Sequence, residues 1–177
     1  MIKNFLVVVD MQNDFIDGSL GTPEARSIVP NAVEKIARFD GDIFVTLDTH
    51  GADYLDTAEG KKLPVEHCIK GTDGHLLHPS IRAALEGKNV TYVEKPTFGS
   101  FELVEKVREK AGNDDFSVTL IGLCTDICVV SNALLLKAAF YEKDIRVDPS
   151  CCAGVTPEAH EEALCVMKSC QISLERY

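Results

Sequence analysis

The chain has 177 residues, of which 45% are hydrophobic and 26% charged, and a formal net charge of −10. That length suits one domain with a sizeable core, and residues 1–177 read as a single domain. The negative charge argues against nucleic acid and anionic membranes as partners, and no apolar run approaches the ~20 residues of a membrane-spanning helix.

Met1-Ile2-Lys3-Asn4 is followed by only five apolar residues before Asp10, which does not resemble a secretory leader. Seven cysteines form an odd set without regular spacing, so free thiols in a reducing, cytoplasmic compartment are expected. Cys165 and Cys170 fall in a helical pattern and read as small buried hydrophobes. Cys151 and Cys152 receive no role.

In chain order, "FLVVVD" (5–10) reads as a buried strand and "VPNAVEKIARF" (29–39) as a helix with Pro30 in its first turn. "DIFVTLD" (42–48) is a strand, "HPSIRAALEGK" (78–88) a helix closed by Gly87, and "NVTYVEK" (89–95) a strand. "SFELVEKVREKAG" (100–112) is a helix, "FSVTLIGL" (116–123) a strand, and "TDICVVSNALLLKAAFYEK" (125–143) a long, mostly apolar helix. "DIRVDP" (144–149), "TPEAHEEALCVMKSC" (156–170) and "QISL" (171–174) complete the series as strand, helix and strand. Apolar strands alternating with helices imply an α/β fold, a parallel sheet covered on both faces. The irregular segment 49–77, rich in Gly, Asp, His and Lys, is long enough to suggest function.

In such sheets ligands bind beyond the carboxyl ends of the strands. Asp10, Asp48 with His50, Lys95, and Cys124 with Cys128 all fall at those ends. Cys128 lies in the first turn of the 125–143 helix, with Thr125 as N-cap candidate. A helix N-terminus favours a thiolate and is expected to lower the thiol pKa; its N–H groups could hold an oxyanion. An inert buried cysteine is the alternative. The four-residue spacing is wrong for a C-x-x-C redox or zinc pair. A lysine or aspartate ending a buried strand is costly unless paired or used. Lys95 and Asp10 solve this together, either as a structural ion pair or with Asp10 as the base for the thiol.

"VVVDMQNDF", "EKPTFGSF" and "IGLCTDICV" resemble the three signature segments of the isochorismatase-like cysteine hydrolases, in particular the nicotinamidase/pyrazinamidase branch. The resemblance covers essentially the whole chain. It implies a three-layer α/β/α fold with a six-stranded parallel sheet and a triad of Asp10, Lys95 and Cys128. It implies a cis peptide at Leu123–Cys124, which directs the backbone N–H groups of Cys124 and Cys128 at an oxyanion. In 47–74, Asp48, His50 and His67 match the family's metal ligands, with Glu59 as the fourth and Asp56 its competitor. The ion implied is Zn²⁺, with Mn²⁺ or Fe²⁺ as alternatives. Phe15, Phe98, Leu123 and Ile127 are expected around the substrate. Tyr54 stands near the place of a further family histidine, and Leu63 where an aromatic residue is usual. His75 and His78 receive no ligand role, because "LLHPS" reads as a helix start.

The activity implied is hydrolysis of a small-molecule amide, nicotinamide foremost, through a Cys128 thioester. A related hydrolase acting on another amide or ureido compound, and a thiol redox or binding protein of the same fold, are the other readings. A flavodoxin-like nucleotide binder is disfavoured, since no G-x-G-x-x-G follows the first strand. The apolar 125–143 helix and the family's habit of forming dimers or tetramers imply a homo-oligomer.

Overall fold

The structure is a computed structural model and describes residues 2–175. Six parallel strands form one sheet in the order β3-β2-β1-β4-β5-β6: β1 (Lys3–Val9), β2 (Asp42–Asp48), β3 (Val90–Lys95), β4 (Phe116–Leu123), β5 (Asp144–Ala153) and β6 (Ser173–Leu174). The helices are α1 (Asn13–Ile16), α2 (Pro23–Arg38), α3 (Pro79–Ala84), α4 (Phe101–Ala111), α5 (Val130–Ala139) and α6 (Pro157–Ser169). Alternate residues of β1 feed two cores. Phe5, Val7 and Val9 pack with α4, α5 and α6, whereas Leu6 and Val8 pack with α2 and α3. That alternation makes three α/β/α layers, as the sequence led us to expect. The chain order reverses between β1 and β4, so the carboxyl ends of these two strands open a crevice at the switch point.

Several boundaries differ from the sequence reading. The first long helix starts at Pro23, not 29, because Thr22 caps it by accepting from the Ala25 N–H at 3.0 Å. Pro30 is therefore inside the helix rather than in its first turn, where it donates no helical hydrogen bond. The third helix ends at Ala84, before Gly87, whose φ is +74°. The fifth strand runs to Ala153 rather than 149. Its register with β4 jumps from Leu120↔Val147 to Gly122↔Cys152, so residues 148–151 bulge opposite Ile121 and accommodate Pro149. The last strand is confined to Ser173–Leu174, with Gln171 in the left-handed region before it.

The 125–143 helix is two pieces, a π-turn over Thr125–Val129 and then α5, which ends at Ala139. Thr125 does not cap it; its Oγ1 instead pairs with His160 Nδ1 at 2.8 Å. Gly122 explains the break before the turn. Its φ is +118°, and a Cβ there would stand 2.1 Å from the Val9 carbonyl oxygen, so only glycine lets β4 pass β1 this closely. Cys165 and Cys170 are exposed, contrary to expectation: α6 turns Ala163, Leu164 and Met167 inward and leaves position 165 on its outer face.

Candidate functional site

Lys95 ends β3 and is 1% exposed. Register pairs it with Asp48, the last residue of β2. Its Nζ lies 2.6 Å from Asp10 Oδ2 and 3.4 Å from Asp48 Oδ1. It donates to the Thr97 carbonyl at 3.0 Å and to Cys128 Sγ at 3.4 Å. One buried ammonium thus joins two carboxylates and a thiol from four strand ends. Burial alone would push its pKa down, but Asp10, Cys128 and Asp48 outweigh this and hold it charged.

Asp10 leaves β1 with φ +48°, a left-handed conformation that aspartate tolerates better than most residues. The neighbouring strand fixes it: Thr46 Oγ1 donates to Oδ1 at 2.6 Å, and the Asp10 N–H donates to the Thr46 carbonyl at 3.2 Å. Oδ2 takes the Lys95 ammonium, and the Cys128 thiol hydrogen-bonds to the same carboxylate. Burial raises the Asp10 pKa, opposed by Lys95 and assisted by Asp48.

Cys128 sits in the π-turn, a local widening that recurs at functional sites. The sequence reading expected a lowered thiol pKa. The structure reverses this, because complete burial and the charges of Asp10 and Asp48 push it well up against the pull of Lys95. The resting group is therefore a thiol beside a carboxylate. The peptide Leu123–Cys124 is cis, as the resemblance implied. The turn is tied to its surroundings by Asp126 Oδ1, which accepts from the Val155 N–H at 3.0 Å. Asn132 Nδ2 donates to the Cys128 carbonyl at 2.8 Å and the Phe98 carbonyl at 3.0 Å, while its Oδ1 accepts from the Ser100 N–H at 3.0 Å.

Beside the thiol, Asp48, His50, Glu59 and His67 bring one ligand atom each to within 4.8 Å of one another. His50 Nε2 is 2.9 Å and His67 Nε2 3.4 Å from Asp48 Oδ2; both also face Glu59 Oε1, at 3.8 and 3.6 Å. His67 Nδ1 is turned to the Val65 carbonyl at 2.8 Å, which leaves Nε2 for the cluster. A carboxylate pair with two oriented imidazoles fits a divalent cation. Burial favours a neutral Asp48, but hydrogen bonds from His50 and His67 and the charge of Lys95 hold its pKa well below the usual range. Glu59 belongs to the cluster and Asp56 does not; Asp56 is exposed in a short 3₁₀ turn.

A cavity of about 220 Å³ opens above Cys128. Phe15, Leu20, Leu63, Phe98, Ile127 and Val155 wall it, and Asp48, Glu59 and His67 edge it. Phe15, Phe98 and Ile127, expected around a substrate, line this cavity. Leu123 is not: its side chain is 1% exposed and packs into the α2/α3 core, since the fully buried β4 leaves it no path to the cavity. Leu63 stands in the wall, 38% exposed.

The sequence reading missed the residues that hold this site. In "DMQND", Gln12 Nε2 donates to the carbonyls of Asp48 at 2.9 Å and His75 at 2.8 Å, and its Oε1 accepts from the Asp48 N–H at 2.8 Å. Asp14 Oδ2 accepts from the Cys68 N–H at 2.7 Å, beside His67. Polar residues alternating after a buried strand were the available signal. Tyr54, buried, packs its ring on His50 and His67 at 4.7 and 4.9 Å between centroids. His75 and His78 stay outside the cluster; His78 occupies the N-cap of α3, accepting from the Ser80 N–H at 3.3 Å.

The Isochorismatase domain family matches residues 4–174 of the chain. An isochorismatase family protein of Bacillus subtilis is 30% identical over 178 residues, covering 92% of this chain and 93% of that one. The crystal structure of a nicotinamidase/pyrazinamidase from Bacillus subtilis has a TM-score of 0.85 at 30% identity, covering 99% of this chain and 100% of that chain. A pyrazinamidase of Pyrococcus horikoshii in complex with zinc has a TM-score of 0.80 at 27% identity and covers 99% of each chain.

Proposed function

We propose that this chain, which belongs to the isochorismatase family, is a cysteine amidohydrolase that converts nicotinamide and water to nicotinate and ammonia. The observation that carries the reading is the single buried ammonium of Lys95 touching Asp10 and Cys128 beneath an apolar cavity. The names of the solved relatives support the same activity.

Asp10 takes the Cys128 thiol proton as the sulfur attacks the amide carbon, and the carbonyl electron pair moves to oxygen. Burial, which raises the Asp10 pKa, makes it a better proton acceptor for this exchange. Lys95 stabilises the sulfur as it becomes anionic. Backbone N–H groups of Cys124 and Cys128 hold the oxyanion. The C–N bond then breaks as Asp10 returns the proton to nitrogen, releasing ammonia and leaving an acyl thioester. Water attacks the thioester with its proton passing to Asp10. The C–S bond breaks, the acid leaves, and the sulfur recovers its proton. Phe15, Phe98 and Ile127 orient the ring, and the cavity they form excludes bulk water.

Asp48, His50, Glu59 and His67 would hold a divalent ion, for which we propose zinc. When bound it supplies a Lewis-acid anchor for a ring nitrogen. Among the described residues, no lysine or arginine lines this cavity. That favours a neutral amide over an anionic vinyl ether such as isochorismate.

The chain is further proposed to be one domain acting in the cytoplasm, in keeping with its free Cys68, Cys124, Cys128 and Cys152 thiols. No described helix is long and apolar enough to cross a membrane. Partly buried Val130, Leu134 and Leu135 on α5 favour a homo-oligomer.

The deciding assay measures ammonia release from nicotinamide and pyrazinamide by zinc-loaded protein, with Cys128→Ala and a chelator as controls. Release that vanishes in both controls supports the reading. No release by the wild type from either amide sinks it.

A further inference from the structure

A second cavity of about 500 Å³ adjoins the one above Cys128, at about 220 Å³. Glu59, Leu63, Phe98 and Ile127 line both. The two differ in chemistry. The inner cavity has apolar walls, with Asp48, Glu59 and His67 at its edge and no lysine or arginine, while the outer one is lined by His50, Thr57, Lys62 and Thr97. Leu63 stands between them on a fixed backbone. Its carbonyl accepts from the Tyr54 hydroxyl at 2.9 Å and the Val65 N–H at 2.8 Å, and its N–H donates to the Glu59 carbonyl at 2.8 Å. The half-exposed leucine side chain, with three staggered χ1 wells, is one of the four that separate the two spaces.

We propose that the outer cavity is a subsite for a polar arm carried by the substrate. The substrate class then extends from nicotinamide to neutral heteroaromatic carboxamides bearing a hydroxyl- or carboxylate-tipped chain. The ring and amide occupy the inner cavity, whose walls are apolar apart from the cation-cluster residues at its edge and which has no lysine or arginine to meet a carboxylate. The tip reaches the outer cavity, where Lys62 and the threonines meet it. Glu59 also lines that space, but its carboxylate faces His50 and His67 and is committed to the cluster. This inference rests on the amidohydrolase reading above.

The test compares kcat/KM of the zinc-loaded protein for nicotinamide and for ring-substituted nicotinamides carrying a short hydroxyalkyl or carboxyalkyl arm. Ala58 and Lys62 line the outer cavity only, so variants there leave the chemistry in place. The wild type is expected to turn over armed amides within about 10-fold of nicotinamide, and Ala58→Trp, which fills the outer cavity, to cut the armed substrates by at least about 10-fold with nicotinamide unchanged. Lys62→Gln is expected to raise KM for the carboxylate arm alone, by about 3- to 10-fold. Rejection of every armed amide by an enzyme that hydrolyses nicotinamide overturns the subsite. So does equal treatment of all three substrates by both variants. Absence of turnover on nicotinamide itself defeats the amidohydrolase reading instead.

Discussion

Lys95 Nζ donates a hydrogen bond to Cys128 Sγ at 3.4 Å while forming an ion pair with Asp10 at 2.6 Å. The ammonium is the only cation in reach of three groups that each carry, or develop, negative charge among the described residues at this site. Removing it leaves two buried carboxylates facing each other. Lys95→Ala is therefore expected to cost about 3–5 kcal/mol of stability as well as activity. Asp10→Asn keeps the shape but not the proton acceptor; with Asp48 still 3.4 Å from Lys95 it should cost less stability than Lys95→Ala, yet lower kcat by about 10²- to 10⁴-fold. Thermal melting beside ammonia release separates the two. An Asp10→Asn protein retaining full kcat would remove Asp10 from the mechanism.

Asn132 is a positioning residue. It joins the carbonyl of Cys128 to the segment that carries Lys95, Thr97 and Phe98. Asn132→Asp loses both donors and sets a carboxylate against two carbonyl oxygens. We expect kcat to fall by about 10- to 100-fold through misplacement of the thiol, with a smaller change in KM. A lowered melting temperature with unchanged kcat would mean that Asn132 serves the fold alone.

Zinc should raise the melting temperature, since an ion bound only by the folded state adds about 2.7 kcal/mol at 100 times Kd. His67→Ala should abolish most of that shift. Burial lowers the His67 pKa, but the hydrogen bond to Asp48 and the charges of Asp48 and Glu59 outweigh it, and the metal-free value is raised. A proton then competes with the ion below the raised value. Zinc affinity should fall between pH 8 and pH 6, more steeply than for an ordinary histidine of pKa about 6.5. Competition titration with a chromophoric chelator at the two pH values checks this.

Lys35 bonds Asp148 Oδ2 at 3.0 Å and also pairs with Glu175. Burial would raise the Asp148 pKa, but the Ser150 hydroxyl and Lys35 overcome it and the value is lowered. A depressed carboxylate stabilises the fold above its unfolded pKa, about 3.9, and that contribution is lost as pH falls through the lower folded value. Lys35→Met should cost about 2 kcal/mol at pH 7 and flatten the acid limb of the stability curve below pH ~4. Urea melts at pH 7 and pH 3 give both numbers, and parallel losses at the two pH values would contradict the assignment.

Much of this was legible in the chain itself. Near-continuous apolar runs separated by helical patterns dictate buried parallel strands, and β2 and β4 have the bounds their sequences suggest. Charged residues at the ends of such runs are costly unless paired or used, which singled out Asp10 and Lys95, while Asp48 stood out by its strand-end position and the Asp-x-His pattern. What no local pattern could contain is strand order and burial. The 3.4 Å between Lys95 and Cys128 exists because β4 returns beside β1 and brings Cys128 to the ends of β1 and β3. The thiol pKa was misjudged for the same reason: a helix start acts locally, whereas complete burial and two facing carboxylates are supplied by other strands. Leu123, Cys165 and the supporting roles of Gln12, Asp14 and Asn132 were decided likewise, because the direction in which a side chain points is fixed only when its neighbours across the fold are in place.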